Sequence, residues 1–232
     1  LQLMRIENEE ERSFYEIEAA REKWGVRDLS RQYNSSLYER LALSRDKEKV
    51  HRLSQEGNVV TTSKDVLKDP YVLEFVGLDD KYGYSETDLE NRLLDNLQQF
   101  LLELGKGFTF VARQKRFSFE EDHFRVDLVF YNRLLKCFVL FDLKIGKLKH
   151  QDLGQMQMYV NYYDRYEKTE EEKPTIGVLL CNEKNDAMVE LTLPEDSNIY
   201  ASQYKLYLPD KKLLQDKLKE WLREEGGAED EI

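Results

Sequence analysis

FRVDLVFYN (124–132) and CFVLFDLKIG (137–146) are the two stretches that decide the fold. Both are rich in aromatic and β-branched residues and lack proline, so both read as strands. In the first, Phe124, Val126, Leu128 and Phe130 alternate with Arg125, Asp127, Val129 and Tyr131. A strand sends successive side chains to opposite faces, so Asp127 points away from Val126 and Leu128. In the second, the same period puts Asp142 and Lys144 side by side on one face. An even-numbered hairpin loop around Arg133–Leu135 then points Asp127 and Asp142 to the same face. Two carboxylates and an ammonium are expected to converge.

Working outward, FTFVARQKRFSF (108–119) reads as a strand preceding this pair. Before it, Ser85-Glu86-Thr87-Asp88 can cap a helix with Leu89, Leu93, Leu94, Leu97, Phe100, Leu101 and Leu104 on its apolar side, stopped by Gly105 and Gly107. After it come a helix from about Gln151 to Tyr166 and an apolar run, TIGVLLC (175–181), that suits a buried strand. The order is helix, three strands, helix, strand, an α/β pattern. MVELTL (188–193) and NIYASQYKLYL (198–208) read as further strands, and LLQDKLKEWLREE (213–225) as a final amphipathic helix.

Upstream, FYEIEAAREKW (14–24) and VRDLSRQYNSSLYERL (26–41) place apolar residues at helical spacing on either side of Gly25, which predicts two helices between about Asn8 and Leu43. The chain starts abruptly inside an apolar-periodic pattern. Leu1 is therefore expected not to be a natural start, and residues 1–57 to be the C-terminal part of a helical domain. The polar stretch from Ser44 to Lys68 lacks sustained periodicity and reads as linker, placed at 58–68. The main domain is assigned to 69–225 and a disordered acidic tail to 226–232.

The formal net charge of -11 over 232 residues argues at first against a nucleic-acid partner. Its distribution reverses that: from Lys106 to Gln151 ten Lys and Arg face five Asp and Glu. The acidity lies in ENEEER, EKTEEEK and REEGGAEDEI, which read as solvated runs. Arg113, Lys115, Arg116 and Lys147 suit phosphate contacts. Cys137 and Cys181 lie in apolar stretches and read as buried reduced thiols, which fits a cytoplasmic protein. No run is long enough to span a membrane, and the acidic N-terminus is unlike a signal peptide.

Carboxylates converging on a half-buried sheet need a compensating charge, from a hard divalent cation or from the neighbouring lysine. Magnesium chemistry, with manganese as a substitute, accounts for all three groups: the acids hold the metal, and the lysine orients water and counters developing charge. The Asp142–Lys144 spacing alone is also that of an ordinary surface ion pair. His123 and His150 flank the site without a partner at ligand spacing. Tyr159, Tyr162, Tyr163 and Tyr166 read as helix packing before base stacking, with Tyr159 also kept as a nucleic-acid contact.

Between Lys68 and about Pro209, the phrases KDPYVLEFVGL, TDLENRLLDNLQQFLLELGKGFTFVARQKRF, VDLVFYNRLLKCFVLFDLKIGKLKHQDLGQMQMYVNYYD and IGVLLCNEKNDAMVELTLP resemble the YhcG family of bacterial PD-(D/E)XK nuclease-domain proteins. The resemblance implies a restriction-endonuclease-like core, a mixed central sheet flanked by helices, preceded by the partial helical region. It implies that Asp127 and Asp142 are the metal-binding acids, that Glu90 contacts the metal from the first helix, and that Lys144 is the catalytic lysine. Gln155 and Tyr159, one helical turn apart, resemble a Gln-xxx-Tyr pattern that positions substrate or lysine. Val126 stands where the eponymous motif has proline, and Asp142 where glutamate is commoner; neither removes a ligand.

The implied activity is metal-dependent hydrolysis of phosphodiester bonds in DNA, with RNA left open as a substrate. The alternative from another class is a non-catalytic nucleic-acid-binding or scaffold module that kept the fold. A homodimer, and a protein partner for the N-terminal helices, are further expectations.

Overall fold

The structure, a computed structural model, describes residues 3–43, 47–79, 83–119, 121–194 and 196–224. The chain divides into two compact units, Val60–Leu206 and Leu1–Val59 with Tyr207–Ile232. The acidic tail expected at 226–232 lies outside the described residues.

The helical unit holds α1 (Glu9–Glu22), α2 (Val26–Asn34), α3 (Leu37–Leu43) and α4 (Lys47–Glu56), together with α9 (Lys211–Glu224). Asn8 caps α1 by accepting the Glu11 backbone N–H at 3.0 Å. Where two helices were expected before residue 44 there are three, because Ser35 and Ser36, the latter with φ of 55°, turn the chain between α2 and α3. Residues 47–56, read as linker for want of periodicity, are also helical. Phe14, Tyr15, Leu37, Tyr38, Leu41, Val50, Leu53 and Leu218 form the core of this unit. The compact units thus group α9 with the N-terminal helices, whereas the main domain was expected to run to 225. The apolar side of α9 needs cover, and Leu218 and Trp221 find it among the N-terminal helices, not on the sheet.

The other unit is built on a six-stranded mixed sheet. Its strands are β1 (Tyr71–Val72), β2 (Phe108–Phe119), β3 (Asp122–Asn132), β4 (Cys137–Lys147), β5 (Ile176–Glu183) and β6 (Ile199–Lys205), in the spatial order β1-β6-β5-β4-β3-β2. β2, β3 and β4 are antiparallel, whereas β4, β5, β6 and β1 pair in parallel. The helices α5 (Glu86–Asp95), α6 (Leu97–Leu104), α7 (His150–Tyr162) and α8 (Asp186–Thr192) complete the unit. Leu89, Leu93, Phe100 and Leu104 of α5 and α6 share a core with Val139, Phe141 and Leu143 of β4. Leu153, Met156 and Val160 of α7 share a second core with Leu140 of β4 and Leu179 of β5. Alternate residues of β4 thus serve opposite layers, as the strand period requires. Cys137 and Cys181 are buried free thiols.

Three local expectations change. The helix expected from Ser85 to Leu104 keeps its cap, with Ser85 Oγ accepting the Asp88 N–H at 3.1 Å. It breaks at Asn96, whose side-chain amide donates to the Arg92 carbonyl at 2.9 Å and competes with the helical ladder. MVELTL is helical, not extended: Asn185 caps the Met188 N–H at 3.2 Å and leaves Leu191 90% exposed. Of the linker placed at 58–68, all but residues 58 and 59 belong to the sheet unit, where Val66 is buried in the core.

Candidate active site

Val126 and Leu128, expected on one face of β3, pack in opposite layers, so the strand period breaks at Asp127. β3 and β4 pair from Asn132↔Cys137 to Leu128↔Phe141, one residue short of Asp127 and Asp142. The ladder ends there. Asp127 Oδ2 instead accepts the Leu143 backbone N–H at 2.8 Å, so a side chain takes over where the strand partner departs. Asp142 is 3% exposed, and its Oδ2 lies 2.7 Å from Lys144 Nζ. The pair is shielded from solvent on the carboxylate side. Burial pushes the Asp142 carboxyl up to about 7, the nearby Asp127 charge pushes the same way, and Lys144 only partly offsets them. Burial pulls the Lys144 ammonium down, but the charge of Asp142 outweighs it and the net shift is upward.

Glu90 reaches this region from α5 and is 4% exposed. Its Oε1 accepts Arg113 Nε at 2.6 Å, and its Oε2 accepts the side-chain amide of Gln114. The same amide donates to Asp127 Oδ1 at 3.0 Å, so Gln114 bridges the two acids. Gln114 achieves this from a left-handed backbone, φ 47°, within β2. That conformation is strained for a residue with a Cβ, and strain of this kind collects at functional sites. Nothing in the polar run ARQKRF marks Gln114 above its neighbours. A left-handed residue inside a strand has no sequence period to reveal it.

Asp127 and Asp142 are acids of the kind that suit a hard cation, and Asp142, although paired with Lys144, is buried with its charge only partly offset. Among the described residues, however, no group of three or more His, Cys, Asp or Glu that could hold a metal is formed. Glu90 is engaged by Arg113 and Gln114. Gln155, exposed on α7, donates to the Tyr159 hydroxyl at 2.6 Å, and that hydroxyl donates to the Arg125 carbonyl at 3.0 Å.

Two nucleic-acid contacts expected from the sequence find other employment. Tyr159 is 1% exposed and cannot offer its ring to a substrate; it anchors Gln155 to β3. Arg113 spends its guanidinium on Glu90 and, at 2.7 Å, on Asn91. Lys115 and Arg116 remain exposed on β2, an edge strand, and Lys147 is exposed at the end of β4.

A mixed sheet carrying paired acids and a lysine on its central strands, with a glutamate from the preceding helix beside them, defines the PDDEXK type of domain. Residues 64–219 match the family model described as "YhcG PDDEXK nuclease domain", and the chain belongs to that family. It is 42% identical over 219 residues to "Putative nuclease YhcG" of Escherichia coli (strain K12), a match covering 94% of this chain and 58% of that protein. The chain thus spans little more than half the length of that relative. Two solved structures also align with part of it. One is "crystal structure of a repair endonuclease from Pyrococcus abyssi", with 20% identity, a TM-score of 0.36, and coverage of 57% of this chain and 50% of that one. The other is "Structure of EndoMS-dsDNA2 complex", with 15% identity, a TM-score of 0.38 and the same coverage. Among the described residues, no helix is long and apolar enough to cross a membrane.

Proposed function

We propose that this domain is a metal-dependent nuclease that hydrolyses phosphodiester bonds of DNA. The observation that carries the reading is the buried Asp142 carboxylate, 2.7 Å from Lys144, with Asp127 bonded to the backbone N–H of the intervening Leu143. Asp127 and Asp142 would hold a divalent cation, magnesium or manganese, which when bound would polarise the phosphoryl oxygen and acidify water. Magnesium is commonly held by one or two carboxylates with waters and phosphate oxygens completing its shell, so this pair of acids suffices. Lys144 holds its ammonium beside the acids, where it orients the attacking water and counters the charge that develops on phosphate. Glu90, fixed by Arg113 and Gln114, borders the same ground. Gln155, aimed by Tyr159, supplies an amide for substrate, and Lys115, Arg116 and Lys147 supply backbone phosphate contacts.

The test is a panel of linear, single-stranded and branched DNAs incubated with and without magnesium or manganese, alongside thermal melting. Cleavage that requires the metal is expected, together with a metal-dependent rise in melting temperature that Asp127→Ala abolishes. A rise that survives in Asp127→Ala places the metal elsewhere; absence of cleavage across the panel returns the domain to the scaffold reading.

A further inference from the structure

A cavity of about 320 Å³ opens between the far end of β2 and α7. Its walls are aromatic: Phe117 stacks on Tyr162 with centroids 4.0 Å apart and planes 20° apart. On its other side Phe117 meets Phe124 at 5.5 Å and 29°, and Tyr166 leans on Tyr162 at 5.2 Å. Phe119 and Tyr166, which also line the cavity, are 54% and 62% exposed. Tyr166 owes its place to a π-helical turn, Tyr163–Glu167, that ends α7; such turns recur at functional sites. Gln157 and Asn161 line the wall as well, joined by one hydrogen bond of 3.1 Å, and Arg165 lies at the same face. The amide pair retains donors and acceptors for a ligand.

Gly154, exposed on α7, lines the cavity. It sits inside α7, where glycine weakens a helix relative to alanine. A Cβ built on it meets nothing within 4 Å, so no close approach requires glycine there. What a side chain would enter is the cavity. Location narrows the ligand. Phe117 packs edge-on against Tyr159 at 5.6 Å, and the Tyr159 hydroxyl holds Gln155 and the Arg125 carbonyl, two residues before Asp127.

We infer that this cleft takes an unpaired nucleobase of the nucleic acid engaged at the neighbouring acids, stacked on Tyr162 and Tyr166 at the end of the column that Phe117 supports. Amides of Gln157 and Asn161 would meet the base edge, and Arg165 the backbone phosphate. The substrates of the domain would then carry single-stranded or unpaired nucleotides. The inference rests on the proposed nuclease reading for the nature of the polymer, not for the stacking itself.

The test is binding in the presence of a chelator, so that no cleavage enters. The probe is a short oligonucleotide carrying one 2-aminopurine, used as a single strand and as a blunt duplex. The single strand should bind more tightly, with its fluorescence quenched on stacking. Gly154→Phe, which fills the cleft without touching the core, should weaken single-strand binding on the order of tenfold and abolish quenching, with little effect on the duplex. Tyr166→Ala should move in the same direction, whereas Gly154→Ala should bind normally and melt at a higher temperature. Unchanged single-strand affinity in Gly154→Phe, or an equal loss for the duplex, overturns the inference and leaves the cleft to an aromatic side chain of a protein. The two readings fail separately. Base-dependent binding by a protein that cleaves nothing would sink the nuclease and keep the cleft, and metal-dependent cleavage with no base-dependent binding would do the reverse.

Discussion

In each unit of this chain a lysine sits against buried carboxylate, and the two lysines are used in opposite ways. In the helical unit, Lys211 Nζ lies 2.6 Å from Glu11 and 2.8 Å from Glu39, and 4.2 Å from the centre of the Tyr33 ring. Its partner Glu39 is 172 residues away along the chain. The contact therefore ties α9 to α1 and α3, and a charge shared by two buried acids holds the helices in register. In the sheet unit, Lys144 pairs with Asp142, two residues away on the same strand. A link across two residues of one strand organises no tertiary structure. It concentrates charge in a place that the strand period had already chosen, which is what a chemical role needs and a structural role does not.

The sharpest way to break this comparison is to remove each lysine. Lys211→Met leaves Glu11 and Glu39, 2% and 1% exposed, without their cation. The loss should be on the order of 3–5 kcal/mol, read as a lower urea midpoint. A midpoint equal to wild type would make Lys211 no more than a surface pair. Lys144→Ala should cost cleavage a hundredfold or more, about 3 kcal/mol of transition-state stabilisation, while DNA affinity persists. Lys144→Met controls for the lost aliphatic packing. If Lys144→Ala unfolded the protein yet cleaved normally per folded molecule, the lysine would be structural.

A subtler difference concerns pH. Asp142 is lifted to about 7, so its contribution to stability is complete below the unfolded carboxylate range and is lost as pH rises through about 7. In chelator, wild type should lose melting temperature relative to Asp142→Asn between about pH 4 and pH 8. Glu11, raised by burial and then by Glu39, should behave with the same sign. Magnesium added at pH 8 should restore the loss traceable to Asp142 and leave that of Glu11 untouched; equal restoration at both would erase the distinction.

The smallest effect separates two arginines of β2. Arg113 is committed to Glu90, whereas Arg116 is exposed. Arg116→Ala should reduce the slope of log affinity against log salt by about one. Arg113→Ala should act chiefly on cleavage, by freeing Glu90. The same salt slope for wild type and Arg116→Ala would remove Arg116 from the DNA contact surface.

Much of the sheet unit was legible because its cues are local. The cap at Ser85, the period of β3 and β4, and the apolar run of β5 each lie within a dozen residues. Where local cues conflicted, packing or side-chain hydrogen bonds decided: Asn96 split one helix, and Asn185 turned an apparent strand into α8. Tyr159 was readable as helix packing and as a partner of Gln155, but not as the link to the Arg125 carbonyl of β3, since a helical turn states which side chains meet and not which strand lies beneath them.

From the sequence alone came the shared face of Asp142 and Lys144, because alternate residues of β4 serve opposite layers; at Asp127 the period fails, with Val126 packed in one layer and Leu128 in the other. Tertiary structure alone decided the company these residues keep. The left-handed turn at Gln114, the capture of Arg113 by Glu90 across 23 residues and the placing of α9 with the N-terminal helices all depend on which surfaces are buried together. That is a property of the packed chain, where partners are selected by desolvation and fit, and no spacing along the sequence encodes it.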